Sequence, residues 1–372
     1  MPAKKVVAIG GFRGAMAKGI IRPFFEAQGC VAIGWDSKDR GGPSPREVVA
    51  KADIVFLSVL PIAGVAETIE SLAQFAKEGS LWLHGTSVQE PVGRPIGEAL
   101  QNKHFVKRRV TTGFCHFKVG PSIRSLRGQS VICGFVHEPN RRWRKFLLEA
   151  LEASKLKVVV TTPMGHDKLT AKSQGVPMVL ALVLGQLLVK GCPSLPQVLQ
   201  VAGPPFWLQM LGAFRSLGQP RVLGEILVNH PNSRRVIREA EEVLISINRA
   251  CRDQDVDFLV RMAERIVTSL PKSKRSVIQD AIDWHTMTEG DLRGGAVSFI
   301  FSPEENKLGL LEKVLQSFSS RGLQKTSCLA KKTVDGGCQF YIGLEDPDHP
   351  EVKNACREII ERHGGERIAI TR

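Results

Sequence analysis

Two stretches of the 372-residue chain carry residues of the kind that do chemistry. The first is the turn Gly10-Gly11-Phe12-Arg13-Gly14, followed by Met16. Glycine lets the backbone come close to a pyrophosphate, and the N–H groups and dipole at the start of the next helix then hold the anion. Asp36 ends the next predicted strand, where dinucleotide folds hydrogen-bond the adenosine ribose, slightly further from the glycines than the usual ~20 residues. Ser37, Lys38 and Arg40 follow it and suit a 2′-phosphate, so NAD and NADP both stay open. The second stretch runs from Gly113 to Pro121 and reads as a Gly/Pro-bounded loop carrying His116 and Lys118. Ser87 closes a predicted strand in His84-Gly85-Thr86-Ser87-Val88, and strand C-termini are where doubly wound sheets place their chemistry. A ligand-free turn and a plain loop aspartate use the same residue types, so no single signal decides function.

The elements that must position these residues follow from pattern. Apolar strands are expected at 6–9, 30–35, 53–59, 80–83, 130–135 and 157–160, alternating with helical runs ending near 25, 51, 75, 102 and 153. That alternation predicts an α/β fold: a doubly wound parallel-sheet dinucleotide-binding domain over residues 1–162. From His166 to Ile282 only helical runs rich in leucine and valine appear, giving an all-helical domain at 163–285. Its apolar stripes exceed what one layer buries, so a homodimer is expected. After linkers at 271–275 and 290–295, residues 296–372 read βαββαβ, a ferredoxin-like module.

With 43% hydrophobic and 24% charged residues the chain is globular in composition. A net charge of +14 favours anionic partners. Lys and Arg are spread along the chain without a reader module, so a phosphate-bearing cofactor and an acidic substrate are expected, not nucleic acid. The eight cysteines are scattered without zinc-ligand spacing; reduced cytosolic thiols and no metal are expected. The apolar run Val176–Val189 is interrupted by Pro177, Gly185 and Gln186, and is too short for a bilayer. With no signal peptide visible in the first residues, a cytoplasmic protein without membrane contact is expected.

Three stretches resemble one family, the prephenate and arogenate dehydrogenases. They are the glycine turn ending in Met16; Thr86-Ser87-Val88 with His116-x-x-x-Gly120-Pro121 and Ser125-Leu126-x-x-Gln129; and His166-Asp167. The resemblance spans roughly residues 5–270. It implies NAD(P)-dependent oxidative decarboxylation of prephenate or a close cyclohexadienyl analogue to a 4-hydroxyphenylpyruvate-type product. His116 would take the hydroxyl proton, since imidazole titrates near neutral pH, and Ser87 would orient it. Gly10, Gly11, Phe12, Arg13, Gly14, Met16, Asp36 and Ser58 would line the cofactor. Lys118, Gly120, Arg124 and Arg215 would face the substrate. The C-terminal module resembles an ACT domain, with Lys307-Leu308-Gly309 at its first turn, and implies an aromatic amino acid effector.

Three positions depart from the family pattern. Met178 and Leu208 replace a histidine and the arginine that holds the substrate's side-chain carboxylate, and His84 replaces an acidic residue. His166 and Asp167 suit helix capping or a domain hinge as well as a site. Alternatives are the same chemistry on arogenate or 4-amino-4-deoxyprephenate, a non-catalytic dinucleotide and amino-acid sensor, or another β-hydroxyacid or imine reductase using Lys172.

Overall fold

The computed structural model describes residues 4–36, 41–58, 62, 64–91, 96–121, 123, 125–190, 197, 198, 200, 202, 204–271, 296–333 and 336–371. By contact they form two compact units, Met1–Ala202 with Gln209–Ser246, and Gly203–Leu208 with Ile247–Arg372.

The first unit is built on a seven-stranded sheet in the order β2-β1-β3-β4-β5-β6-β7. Its strands are β1 (Val6–Gly10), β2 (Val31–Trp35), β3 (Ile54–Leu57), β4 (Leu81–His84), β5 (Thr111–Phe117), β6 (Ser130–His137) and β7 (Lys157–Val160). The first five strands are parallel, but β6 runs antiparallel to β5, and β7 follows β6 in parallel. The expected all-parallel sheet is therefore corrected at its far edge. The link 118–129 carries Gly120, Pro121 and Gly128, the last at φ 72°, and it turns the chain back where a parallel return needs a crossover, usually helical.

The same strand corrects the loop reading of His116. Gly113 bounds no loop: it lies inside β5, where a Cβ would stand 2.2 Å from the Gly134 carbonyl oxygen. His116 is the next-to-last residue of the strand, past the last β4 pairing at Phe114, and sits opposite Ile132 of β6.

Successive residues of the central strands face opposite layers, the period of two expected of strands buried on both faces. Val7, Ile9, Ile54, Phe56, Leu81, Leu83, Cys115 and Phe117 pack one way with Phe24 and Phe25. Ala8, Val55, Leu57 and Trp82 pack the other way with Val65, Ile69 and Phe105. His84, Phe114 and His116 alternate onto this second side.

Two helices carry a π-turn, and each π-turn ends just before a proline. Ala17–Ile21 leads into α1 (Arg22–Ala27), with the Arg22 N–H donating to the Ala17 carbonyl. Ala171–Gly175 joins α2 (Pro163–Thr170) to α3 (Val176–Val189), with the Val176 N–H donating to the Ala171 carbonyl. Pro23 and Pro177 lack the N–H, and their rings press on the carbonyl four residues back. Widening the ladder by one residue relieves both.

The run Pro163–Val189 is thus one continuous 27-residue helix, long and apolar enough by length and composition to cross a membrane. The apolar stripe read from the sequence predicts a helical run only from Met178 to Val189, whereas the helix starts at Pro163 and passes through Gly175 and Pro177. Its first half carries buried His166 and Asp167. Its second half exposes Leu187 and Val189, at 66% and 73%.

In the second unit, β8 (Ala296–Phe301), β9 (Lys325–Lys332), β10 (Cys338–Leu344) and β11 (Glu366–Thr371) form an antiparallel sheet in the order β11-β8-β10-β9. Helices α4 (Leu310–Ser319) and α5 (Pro350–His363) cover it, closing a core of Phe299, Phe301, Val314, Phe318, Ile342, Val352 and Ile359. This is the βαββαβ order read from the sequence. The linkers within 272–295 and most of the helix expected near 195–201 lie outside the described residues.

Candidate active site

The glycine turn is drawn tight by Trp35, whose carbonyl accepts the N–H groups of Gly11 (3.0 Å) and Phe12 (3.1 Å). Gly11 has φ 76°, a conformation that favours glycine, and a Cβ on Gly10 would stand 2.8 Å from the Trp35 ring. Phe12 packs over Gly34, where any side chain would collide with it. The Arg13 N–H donates to Asp36 Oδ2 at 3.3 Å, which ties the carboxylate to the turn. The Ser58 N–H donates to the Gly10 carbonyl, so the end of β3 lies beside the end of β1. Met16 packs partly buried on the core. The first helical ladder bond runs from Lys18 to Gly14, leaving the N–H groups of 15–17 ahead of it. Ser37, Lys38 and Arg40, on which the NADP question turns, lie outside the described residues.

Further along the sheet, beyond β3, four side chains from the ends of β4 and β5 and from α2 form a line. Ser87 Oγ lies 3.2 Å from His116 Nε2, His116 Nδ1 lies 2.8 Å from His166 Nε2, and His166 Nδ1 lies 2.8 Å from Asp167 Oδ1. Asp167 is clamped from behind: the Gln89 N–H donates to Oδ1 and the Glu90 N–H to Oδ2, both at 3.0 Å. His116, His166 and Asp167 are buried to 5%, 0% and 1% exposure.

The proton positions follow from these contacts. A carboxylate only accepts, so His166 Nδ1 donates to Asp167, and in the neutral imidazole tautomer this leaves His166 Nε2 as an acceptor. His116 Nδ1 then donates to His166, and His116 Nε2 is left with its lone pair facing the Ser87 hydroxyl. Burial first, and then the Lys118 ammonium and the neighbouring His166 and His84 rings, push the His116 imidazole well below the usual histidine range. The ring is therefore neutral at neutral pH and ready to take a proton.

Two further histidines back this line. His84 Nδ1 lies 2.9 Å from Thr86 Oγ1, and that hydroxyl already donates to the Val88 carbonyl, so His84 is the donor. Its burial lowers it to about 3, which keeps it uncharged. His230 Nδ1 accepts the Asn232 N–H, so its Nε2 donates to Thr170 Oγ1 at 3.2 Å, and Thr170 donates to the His166 carbonyl.

The substrate-facing candidates are placed unevenly. Lys118 follows β5 directly, and its ammonium donates to Gln174 Oε1 at 2.8 Å; burial brings it from 10.5 to about 8. Gly120 lies beside the exposed Arg215, whose Nη2 is 3.6 Å from where a Cβ on that glycine would sit. Arg124 and the side chain of Leu208 lie outside the described residues. Met178 packs partly buried against the hydrophobic core, as does Val222.

His166 and Asp167 do not cap their helix: Thr162 does, its side chain accepting the Gly165 N–H. Sequence reasoning missed His230, Thr170 and Gln174. The signal available for them was polar residues spaced along otherwise apolar helical runs.

No protein-family model matches the chain, and no curated protein does. Among solved structures it is similar to the prephenate dehydrogenase of A. aeolicus in complex with hydroxyphenyl propionate and NAD+, with TM-score 0.57 and 18% identity over 75% of this chain and 99% of that one. It is also similar to the arogenate dehydrogenase of Synechocystis, with TM-score 0.53 and 16% identity over 70% and 96%. At such identity the likeness shows the fold, a Rossmann-like core with a largely parallel sheet and accompanying helices.

Proposed function

We propose that this chain is a nicotinamide-dinucleotide dehydrogenase acting on prephenate or a close cyclohexadienyl acid, with His116 as base. The observation that carries the reading is the line Ser87–His116–His166–Asp167 at the ends of β4 and β5, in the same sheet as the glycine turn. The fold neighbours support it, one of them solved with NAD+.

The turn fits a dinucleotide: its glycines keep the backbone bare, three helix N–H groups precede the ladder, and Asp36 stands where a ribose would bind. When bound, NAD supplies the hydride acceptor. His116 Nε2 takes the proton of the substrate hydroxyl while Ser87 shares that oxygen as hydrogen-bond partner. The imidazolium so formed is stabilised through His166 by the clamped Asp167 carboxylate. As the C4–H bond breaks, the ring carboxylate leaves as carbon dioxide and its bonding pair enters the ring. His116 then returns its proton to the phenolate oxygen.

Incubation with NAD or NADP and each of prephenate, arogenate and 4-amino-4-deoxyprephenate is expected to give reduced nicotinamide with at least one, and His116→Ala to abolish it. No reduction with any of the three would overturn the proposal. A sensor without turnover is the second reading, favoured by Met178, which packs on the core where the family has a histidine. We read residues 296–372 as an ACT-like effector module for an aromatic amino acid, and the exposed apolar face of α3 as a homodimer surface. The seven described cysteines are free thiols, which accords with a cytoplasmic setting.

A further inference from the structure

We infer that Lys118, held in place by Gln174, grips a substrate carboxylate on the far side of the ring from the carbon that His116 serves. This rests on the reading of the site as one for a cyclohexadienyl acid.

The first ground is register. The Lys118 N–H donates to the Ser130 carbonyl at 2.9 Å, extending the β5–β6 pairing one residue past Phe117. Lys118 therefore shares a face with His116, two residues away, with Cα atoms roughly 6–7 Å apart. That spacing suits a six-membered ring lying along the strand, its hydroxyl at His116 and its opposite substituent toward Lys118.

The second ground is charge. The ammonium has three donors, and among the described residues its side-chain partner is one neutral amide oxygen, with no carboxylate within 4.0 Å. A partly buried cation with no counter-charge is costly unless something anionic completes it. Arg215 stands by Gly120 in the same loop and adds a second positive group. Among the described residues it too has no carboxylate within that distance.

The third ground is the holder. Gln174 lies in the π-turn Ala171–Gly175, one turn beyond the helix that carries His166 and Asp167. The same helix thus positions the back of the base and the partner of the cation.

The arrangement couples binding to chemistry. The Lys118 charge is, after burial, the largest influence lowering His116. A carboxylate arriving at Lys118 cancels that charge and strengthens the base only once substrate is seated.

The test is calorimetry with NAD present, using 3-(4-hydroxyphenyl)propionate and its neutral amide against wild type, Lys118→Met, Lys118→Arg and Gln174→Leu. Wild type is expected to prefer the acid by about tenfold or more, Lys118→Met to bind acid and amide alike, and Lys118→Arg to restore part of the preference. Gln174→Leu should weaken the acid and leave NAD affinity unchanged. In wild type the preference should fade as pH rises past about 8, a readout that needs no variant to fold. A preference retained in a folded Lys118→Met, or one that does not fade with pH, overturns this assignment while leaving the dehydrogenase reading intact. Failure of wild type to bind either probe overturns that reading, and this inference with it.

Discussion

Replacing Asp167 by asparagine tests the proton line at its anchor. The carboxylate accepts three hydrogen bonds, from His166 Nδ1 at 2.8 Å and from the N–H groups of Gln89 and Glu90 at 3.0 Å each. An amide has one oxygen, so at least one buried donor must meet an NH2 group. If the oxygen stays toward His166, the Glu90 N–H is orphaned and the imidazolium loses its counter-charge. If the amide flips, its NH2 donates to His166 Nδ1, the His166 proton moves to Nε2, and His116 must accept at Nδ1. His116 Nε2 then carries hydrogen and cannot act as base. Losing one charge-assisted buried hydrogen bond costs about 1.5–3 kcal/mol, so urea unfolding should shift by that much. Reversing a catalytic histidine's tautomer costs on the order of 10⁴ in turnover in a Ser-His-Asp triad, and a fall of about 10²–10⁴ is expected here. Nitrogen-15 correlation spectra of the imidazoles would identify the tautomer directly. A variant with wild-type stability, unchanged His116 tautomer and turnover within a few-fold of normal would refute the relay.

Other predictions concern pH and packing. Since His116 must be neutral and burial holds it below 6.5, kcat/KM should be flat through neutrality and fall only on the acid side of 6.5. It should fall again as pH rises through about 8, where Lys118 discharges; a single limb centred at neutral pH would contradict this. Lys118→Met should stabilise the fold by about 1–3 kcal/mol at pH 7 in chemical denaturation, discounted for partial exposure. The unfolded chain holds this proton up to 10.5 and the folded one only to about 8. The wild-type penalty is therefore full below pH 8, shrinks as pH rises, and vanishes above 10.5, so the variant's advantage should disappear there. Gly19→Ala places a Cβ 2.4 Å from the Pro121 carbonyl oxygen. Backbone must yield, and a loss of about 1–3 kcal/mol with a raised KM is expected from melting curves and initial rates.

Much of this molecule is legible as pattern. The apolar runs around Val7, Val55 and Leu83 read directly as buried strands, and the glycine turn with Asp36 reads as one local device. His116 and Ser87 are drawn together by the parallel pairing of β4 with β5, a strand that the loop reading of 113–121 leaves out. What was not legible has physical causes. Gly113 reads as punctuation, but its use is to let the β6 backbone approach within a sheet. The reversal at β6 depends on a twelve-residue link that local propensity does not orient. His166-Asp167 sits at the start of a helix, as capping residues do, and only tertiary contact with Gln89 and Glu90 assigns it otherwise. His230 meets Thr170 sixty residues away, a pairing that no local spacing announces.

The strap from Lys118 to Pro121 is touched from both sides by a widened helical turn, Gly19 against the Pro121 carbonyl and Gln174 against the Lys118 ammonium. In the second helix that joint sits between a rod pinned at Asp167 and a rod whose greasy outer surface is open. One helix thus joins the exposed apolar surface at Leu187 and Val189 to the residue that holds the cation, with the base anchored at its other end.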